Sequence, residues 1–126
     1  MAENKQKTIV IVEDEVDAAE MFAEMMRVSG FRVLKATSSA PAMQLIEAEK
    51  PDAVILDIMM PDISGLDILH FMRQSPALAK IPVVVVSAKS LPSDIRTGLE
   101  AGASIYLTKP VGFMDLKQAV EKVLQE

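Results

Sequence analysis

Residues 54–65 read VILDIMMPDISG. The apolar run that begins at Ala53 stops on a bare carboxylate, Asp57, and no cation follows before Gly65. Burying a carboxylate without a partner is costly. Either the run ends in solvent, or distant parts of the chain carry partners to Asp57. The rest of the sequence decides between the two.

Outward from that stretch, four more apolar runs of strand length alternate with amphipathic segments. The five runs are TIVIVE (8–13), FRVLKA (31–36), AVILD (53–57), IPVVVVS (81–87) and SIYLTK (104–109). Three are almost continuously apolar, the pattern of parallel strands covered on both faces. FRVLKA alternates more and suits an edge. Helices are expected over 15–29, 40–49, 65–74, 92–101 and 113–124. The first puts Val16, Ala19, Phe22, Ala23 and Met26 on one face. The second groups Ala42, Leu45 and Ile46, with Ser39 as cap and Pro41 in the first turn. The last carries Phe113, Leu116, Val120 and Leu124 at helical spacing, and Gly30 and Gly102 stand where helices stop. Strict alternation of this kind implies an α/β fold: a doubly wound, five-stranded parallel sheet with five helices and right-handed crossovers.

Ligands of such sheets bind beyond the carboxyl ends of the strands, at the switch point. The informative residues are therefore those that end each run. Run one ends on Glu13-Asp14, run three on Asp57, run four on Ser87 and run five on Thr108-Lys109; run two ends on plain Thr37-Ser38. Three acids, a hydroxyl and a lysine thus converge on one rim. Carboxylates about 5 Å apart repel by roughly 3 kcal/mol per pair at an effective dielectric of 20. The cluster must hold protons or bind a cation. Oxygen ligands without His or Cys favour a hard ion, and a half-filled shell suits Mg2+ with waters and a phosphoryl oxygen. Lys109 offers a point charge to a phosphate and Ser87 a hydroxyl donor. Asp57, neutralised by metal and lysine, is placed to attack phosphorus and become an aspartyl phosphate.

Bulk composition narrows the field. At 126 residues the chain suits one domain with a real core. The polar start, MAENKQK (1–7), reads as a flexible tail without a signal-peptide core, leaving 8–126 as the domain. No stretch is long and apolar enough to span a bilayer, so no membrane partner is expected. Zero cysteines exclude disulfides and thiolate sites, which fits a cytoplasmic location. A net charge of −5 argues against direct nucleic acid binding. The absence of Trp argues against a base-stacking platform.

Four pieces, IVEDE (11–15), KPDAVILDIMMPDISG (50–65), VVVVSAK (83–89) and AGASIYLTKP (101–110), occur in order at the expected strand ends. With them the chain resembles the receiver domain of two-component response regulators over its whole length. The resemblance implies strand order 2-1-3-4-5 in a flavodoxin-like fold. It implies that Asp57 accepts a phosphoryl group from a sensor histidine kinase or a histidine phosphotransferase. It further implies that Asp14, with Glu13 partly through water, binds Mg2+ together with Asp57 and the backbone carbonyl of Met59. Ser87 and Lys109 would then bind the phosphoryl group, Tyr106 would change rotamer with Ser87, and Lys109-Pro110 would be a cis peptide. The partners implied are an unknown downstream target protein and, on phosphorylation, a second copy of the chain. Because the sequence ends after the fifth helix, it is expected to act as a switch with no attached output domain, supporting its own phosphorylation and dephosphorylation rather than serving as an enzyme.

Departures from the family pattern are few. Glu13 stands where many members have Asp, Ser64 and Ser104 occupy positions often acidic, and Val111-Gly112 follow where many place Phe. His70, the sole histidine, shares a helix face with Asp67 and Arg73 and reads as solvated. Met21 and Met25 lie outside the core arc of the first helix, as a docking face or as ordinary edge packing. The rival function is a docking module that ignores phosphate, a pseudo-receiver, against which the intact set of five site residues argues. Flavodoxins and aspartate-dependent phosphatases fit poorly. The loop after run one reads EDE rather than a neutral phosphate cradle, and Asp57 follows the third run rather than the first.

Overall fold

The computed structural model describes residues 6–60 and 64–125. Strands β1 (Thr8–Val12), β2 (Arg32–Ala36), β3 (Ala53–Leu56), β4 (Val83–Ser87) and β5 (Ile105–Thr108) alternate with five helices. These are α1 (Val16–Val28), α2 (Ser39–Glu49), α3 (Gly65–Gln74), α4 (Pro92–Glu100) and α5 (Phe113–Leu124). All strands are parallel, in the order β2-β1-β3-β4-β5. The polar tail expected over 1–7 falls largely outside the described residues. Of it, the Lys7 carbonyl accepts the Arg32 N–H.

The continuous apolar runs are explained by a two-sided sheet. Alternate residues Val10, Val12, Val54, Leu56, Val83 and Val85 join one buried cluster with Ile46, Ile68, Leu69 and Met72 of α2 and α3. The intervening Ile9, Ile11, Ala53, Ile55, Val84 and Val86 join another with Phe22, Met26, Leu116 and Val120 of α1 and α5. Each fully buried side chain of this size is worth about 1.5–3 kcal/mol relative to exposure, so a polar residue inside these runs would be expensive. That confines the chemistry to the strand ends.

Two local expectations need correction. Val16 is 66% exposed, while Ala19, Phe22, Ala23 and Met26 are buried as expected. Its angular position is right, but it is the first residue of α1 and stays exposed there. The α2 boundary residue is Ser38, in extended conformation, and Ser39 is a buried first-turn residue. Pro41 is tolerated there because the first helical N–H groups have no partner within the helix. Gly30 (φ +98°) and Gly102 (φ +117°) do end helices in backbone that other residues rarely adopt.

Helix α4 is the least buried of the helices. Its only buried residue is Gly98. Its far end is held through Arg73 of α3, whose Nε and Nη2 donate to the Gly102 carbonyl at 3.1 and 2.8 Å. The Arg73 Nη1 also donates to the carbonyls of Ala79 and Ile81.

Candidate functional site

Register brings the strand-end residues together. Val12 pairs with Leu56, so Glu13 and Asp57 leave adjacent strands side by side, and the Asp57 N–H donates to the Val12 carbonyl at 2.9 Å. Ser87 pairs with Thr108, and the Lys109 N–H donates to the Ser87 carbonyl. The sheet reverses direction of growth between β1 and β3, which opens a crevice above their carboxyl ends. The acids sit there.

The question posed by Asp57 has a structural answer: distant parts of the chain supply its partners. Asp57 is 5% exposed, its Oδ1 accepts the Met59 N–H at 2.9 Å, and its Oδ2 lies 3.2 Å from Lys109 Nζ. Glu13 is 2% exposed, with Oε1 2.8 Å from the same Nζ and Oε2 accepting the Glu15 N–H at 3.2 Å. Carboxylate oxygens of Glu13, Asp14 and Asp57 all lie within 4.8 Å of one another. Asp14 is the most exposed of the three. No buried side-chain nitrogen or oxygen among the described residues lacks a hydrogen-bond partner.

Lys109 bridges two buried anions, and the charges respond unequally. Burial holds the Glu13 carboxyl above its ordinary range and the Asp57 charge pushes the same way, while the bond from Lys109 only partly offsets them. Burial also pulls the Lys109 ammonium down, but Glu13 and Asp57 together outweigh it and hold the lysine above its ordinary value. The asymmetry follows from number: the lysine faces two carboxylates, whereas Glu13 shares one cation and also faces a like charge. One lysine against three acids leaves net negative charge in the pocket. An all-oxygen donor set of this charge fits a hard divalent cation.

Ser87 is fully buried, and its Oγ accepts the Lys89 N–H at 3.1 Å. The Lys89 carbonyl in turn accepts the Tyr106 hydroxyl at 2.8 Å. Met59, 47% exposed, lines the mouth of the crevice with Asp14, Met60, Ser64 and Lys89. The Lys109–Pro110 peptide is cis, as expected. The departures have structural uses. Ser64 caps α3 by accepting the Leu66 N–H, Ser104 Oγ accepts the Val83 N–H, and Val111 is buried.

Two contributors escaped the sequence reading. Lys89 stands two residues beyond Ser87, just as Met59 stands two beyond Asp57, and that shared spacing was the available signal. Gly65 closes the opening stretch for a steric reason: a Cβ there would lie 2.5 Å from the Asp57 carbonyl oxygen and from Ile58 Cα. Only glycine lets α3 start this close to the loop that carries Asp57.

Fold and pocket define one class: a doubly wound α/β module with a lysine-braced acidic crevice at its switch point. The chain belongs to the response regulator receiver domain family, whose family model matches residues 9–121. That family supplies the phosphorylation-controlled switches of two-component signalling. The chain is 34% identical over 119 residues to the phosphate regulon transcriptional regulatory protein PhoB of Pseudomonas aeruginosa, covering 94% of this chain and 52% of that protein. It is 35% identical over 117 residues to the transcriptional regulatory protein PrrA of Mycobacterium tuberculosis, covering 93% of this chain and 49% of that one. The chain thus spans about half the length of these curated relatives. A solved structure from Chloroflexus aurantiacus J-10-fl, described as a response regulator, superposes with a TM-score of 0.92 at 34% identity. That match covers 97% of this chain and 100% of the other.

Proposed function

We propose that the chain accepts a phosphoryl group on Asp57, from a sensor histidine kinase or a histidine phosphotransferase, in a Mg2+-dependent reaction. The observation that carries this reading is the Asp57 carboxylate, nearly buried at the end of β3, with oxygens of Glu13 and Asp14 within 4.8 Å and Lys109 Nζ at 3.2 Å. An Asp57 oxygen attacks phosphorus, the bond from phosphorus to the donor imidazole nitrogen breaks, and an aspartyl phosphate forms. Asp14, Glu13, Asp57 and the Met59 carbonyl are the groups that would hold Mg2+, which supplies charge neutralisation for the phosphoryl oxygens. Lys109 supports the same oxygens with a second positive charge. Ser87 Oγ can donate its proton to a phosphoryl oxygen while still accepting the Lys89 N–H.

Hydrolysis of the aspartyl phosphate in the same crevice returns the switch to its resting form, so the domain assists both steps without turning over a separate substrate. Ser87 and Tyr106 relay the state of Asp57 to the face formed by α4, β5 and α5, where a downstream target protein or a second copy of the chain would read it. A cytoplasmic location agrees with a phosphohistidine donor and with a chain free of cysteine.

Acetyl phosphate with Mg2+ tests the assignment. The parent should gain a single phosphate that hydroxylamine removes, and Asp57→Asn should gain none. Equal labelling of Asp57→Asn moves the site elsewhere. No labelling of the parent, with no Mg2+ binding, leaves the phosphate-independent docking module as the reading.

A further inference from the structure

A glycine inside a helix costs stability relative to alanine unless its missing side chain is used. Gly98 lies in α4, is the one buried residue of that helix, and accepts the Ala103 N–H through its carbonyl at 3.1 Å. A Cβ built on it would lie 2.7 Å from Cδ2 and 2.8 Å from Cε2 of Tyr106. Real Cβ atoms do not approach a ring carbon this closely, so the aromatic ring occupies the volume that any other residue would need. The ring also packs against the core cluster beneath α2 and α3, and its hydroxyl is fixed on the Lys89 carbonyl.

We propose that Gly98 is a positioning residue for the Tyr106 switch: the bare backbone of α4 is the seat on which the ring rests. This rests on the receiver reading above. The coupling runs through one residue, Lys89, whose N–H binds Ser87 Oγ and whose carbonyl binds the Tyr106 hydroxyl. A phosphoryl oxygen on Asp57 that takes a hydrogen bond from Ser87 fixes that hydroxyl. The hydroxyl fixes the Lys89 peptide, and the peptide favours the seated ring. Such a relay transmits only if the seat exists. Because α4 meets the sheet through a glycine, seating the ring and docking the helix are the same event. Two-state behaviour of this kind needs differential contacts, and the ring, the glycine and the Lys89 carbonyl provide them.

The test is Gly98→Ala. Helix propensity alone makes this change favourable, so a purely structural role predicts an intact protein with the ring undisturbed. The proposal predicts an intact protein whose ring is expelled. Tyr106 is the only tyrosine and the chain has no tryptophan, so intrinsic emission reports this ring alone. Iodide quenching should rise in Gly98→Ala as the seated population falls by about tenfold or more. With beryllofluoride and Mg2+ the parent ring should be shielded and the variant ring should stay exposed. Beryllofluoride affinity should fall in Gly98→Ala, yet Gly98→Ala should have no further effect once Tyr106 is Ala, since the methyl then displaces nothing. In the unaltered protein, a nuclear Overhauser contact between Gly98 Hα and the Tyr106 ring is expected, which guards against a variant that fails to fold. Parent-like quenching in Gly98→Ala, or no such contact in the parent, overturns the seat. A parent that shows the contact but ignores beryllofluoride overturns the phosphoacceptor reading and leaves the seat standing.

Discussion

Replacing Lys109 with Met keeps the length and apolar stem of the side chain and removes the one cation between two buried acids. In the parent, Nζ lies 2.8 Å from Glu13 and 3.2 Å from Asp57. Breaking a buried pair by removing one partner typically costs about 3–5 kcal/mol, because the other charge is left behind. Lys109 is 26% exposed, so water screens part of the loss. About 2–4 kcal/mol is the expected destabilisation near neutral pH without divalent cation. Two conditions should restore the variant. Millimolar Mg2+ should stabilise it, by about 2.7 kcal/mol once the ion reaches roughly a hundred times its dissociation constant. Mild acid should as well. Glu13 already has a folded pKa above its ordinary value through burial and the Asp57 charge, and losing Lys109 moves it further up. A group raised in this way contributes stability below its unfolded pKa and loses it as pH rises through the folded one. The deficit of the variant should therefore shrink on the acid side and be greatest near neutrality. Urea melts of parent and variant, with and without Mg2+, at neutral and mildly acidic pH, provide the measurement. Equal midpoints at neutral pH without Mg2+ would falsify the claim that Lys109 balances this pocket.

Two further outcomes are expected. Met59→Asn should speed loss of the aspartyl phosphate, since an amide beside the crevice can orient an attacking water and a thioether cannot; release of inorganic phosphate after rapid removal of the donor measures this, and an unchanged rate means the side chain does not line the water's path. Gly65→Ala should destabilise the fold by about 1–3 kcal/mol or more, as overpacking does, and slow labelling of Asp57, because the new Cβ meets the Asp57 carbonyl at 2.5 Å. A normal melt with normal labelling would show that the loop yields easily.

The sheet was legible because its physics is written in single residues. A strand covered on both faces needs unbroken apolar residues, so IVIV, AVIL and VVVV could be little else, and the polar residues that end them had to sit at the rim. Convergence of Glu13, Asp14, Asp57 and Lys109, with Ser87 at the end of β4, followed from topology alone. What stayed hidden depends on distance rather than on residue type. Val16 matches the buried arc by angle, yet at the first position of α1 it stays exposed. Ser38 and Ser39 are chemically alike, and only the backbone angles choose between them. Gly65 and Gly98 look the same in sequence, although one gives way to a neighbouring backbone and the other to an aromatic ring.

That contrast bears on how the crevice and the docking face are joined. Gly65 brings a helix against the loop behind Asp57, where the obstructing atoms belong to backbone and cannot move aside. Gly98 brings a helix against Tyr106, where the obstructing atoms belong to a side chain with other rotamers open to it. The first contact holds the Asp57 loop in place, and the second leaves Tyr106 with other rotamers open to it. A switch needs both: an input held rigid enough to do chemistry, and an output element weakly enough held to take two positions. On the reading proposed above, the chain meets them by placing Asp57 at the end of the buried strand β3 and α4 on a single buried glycine.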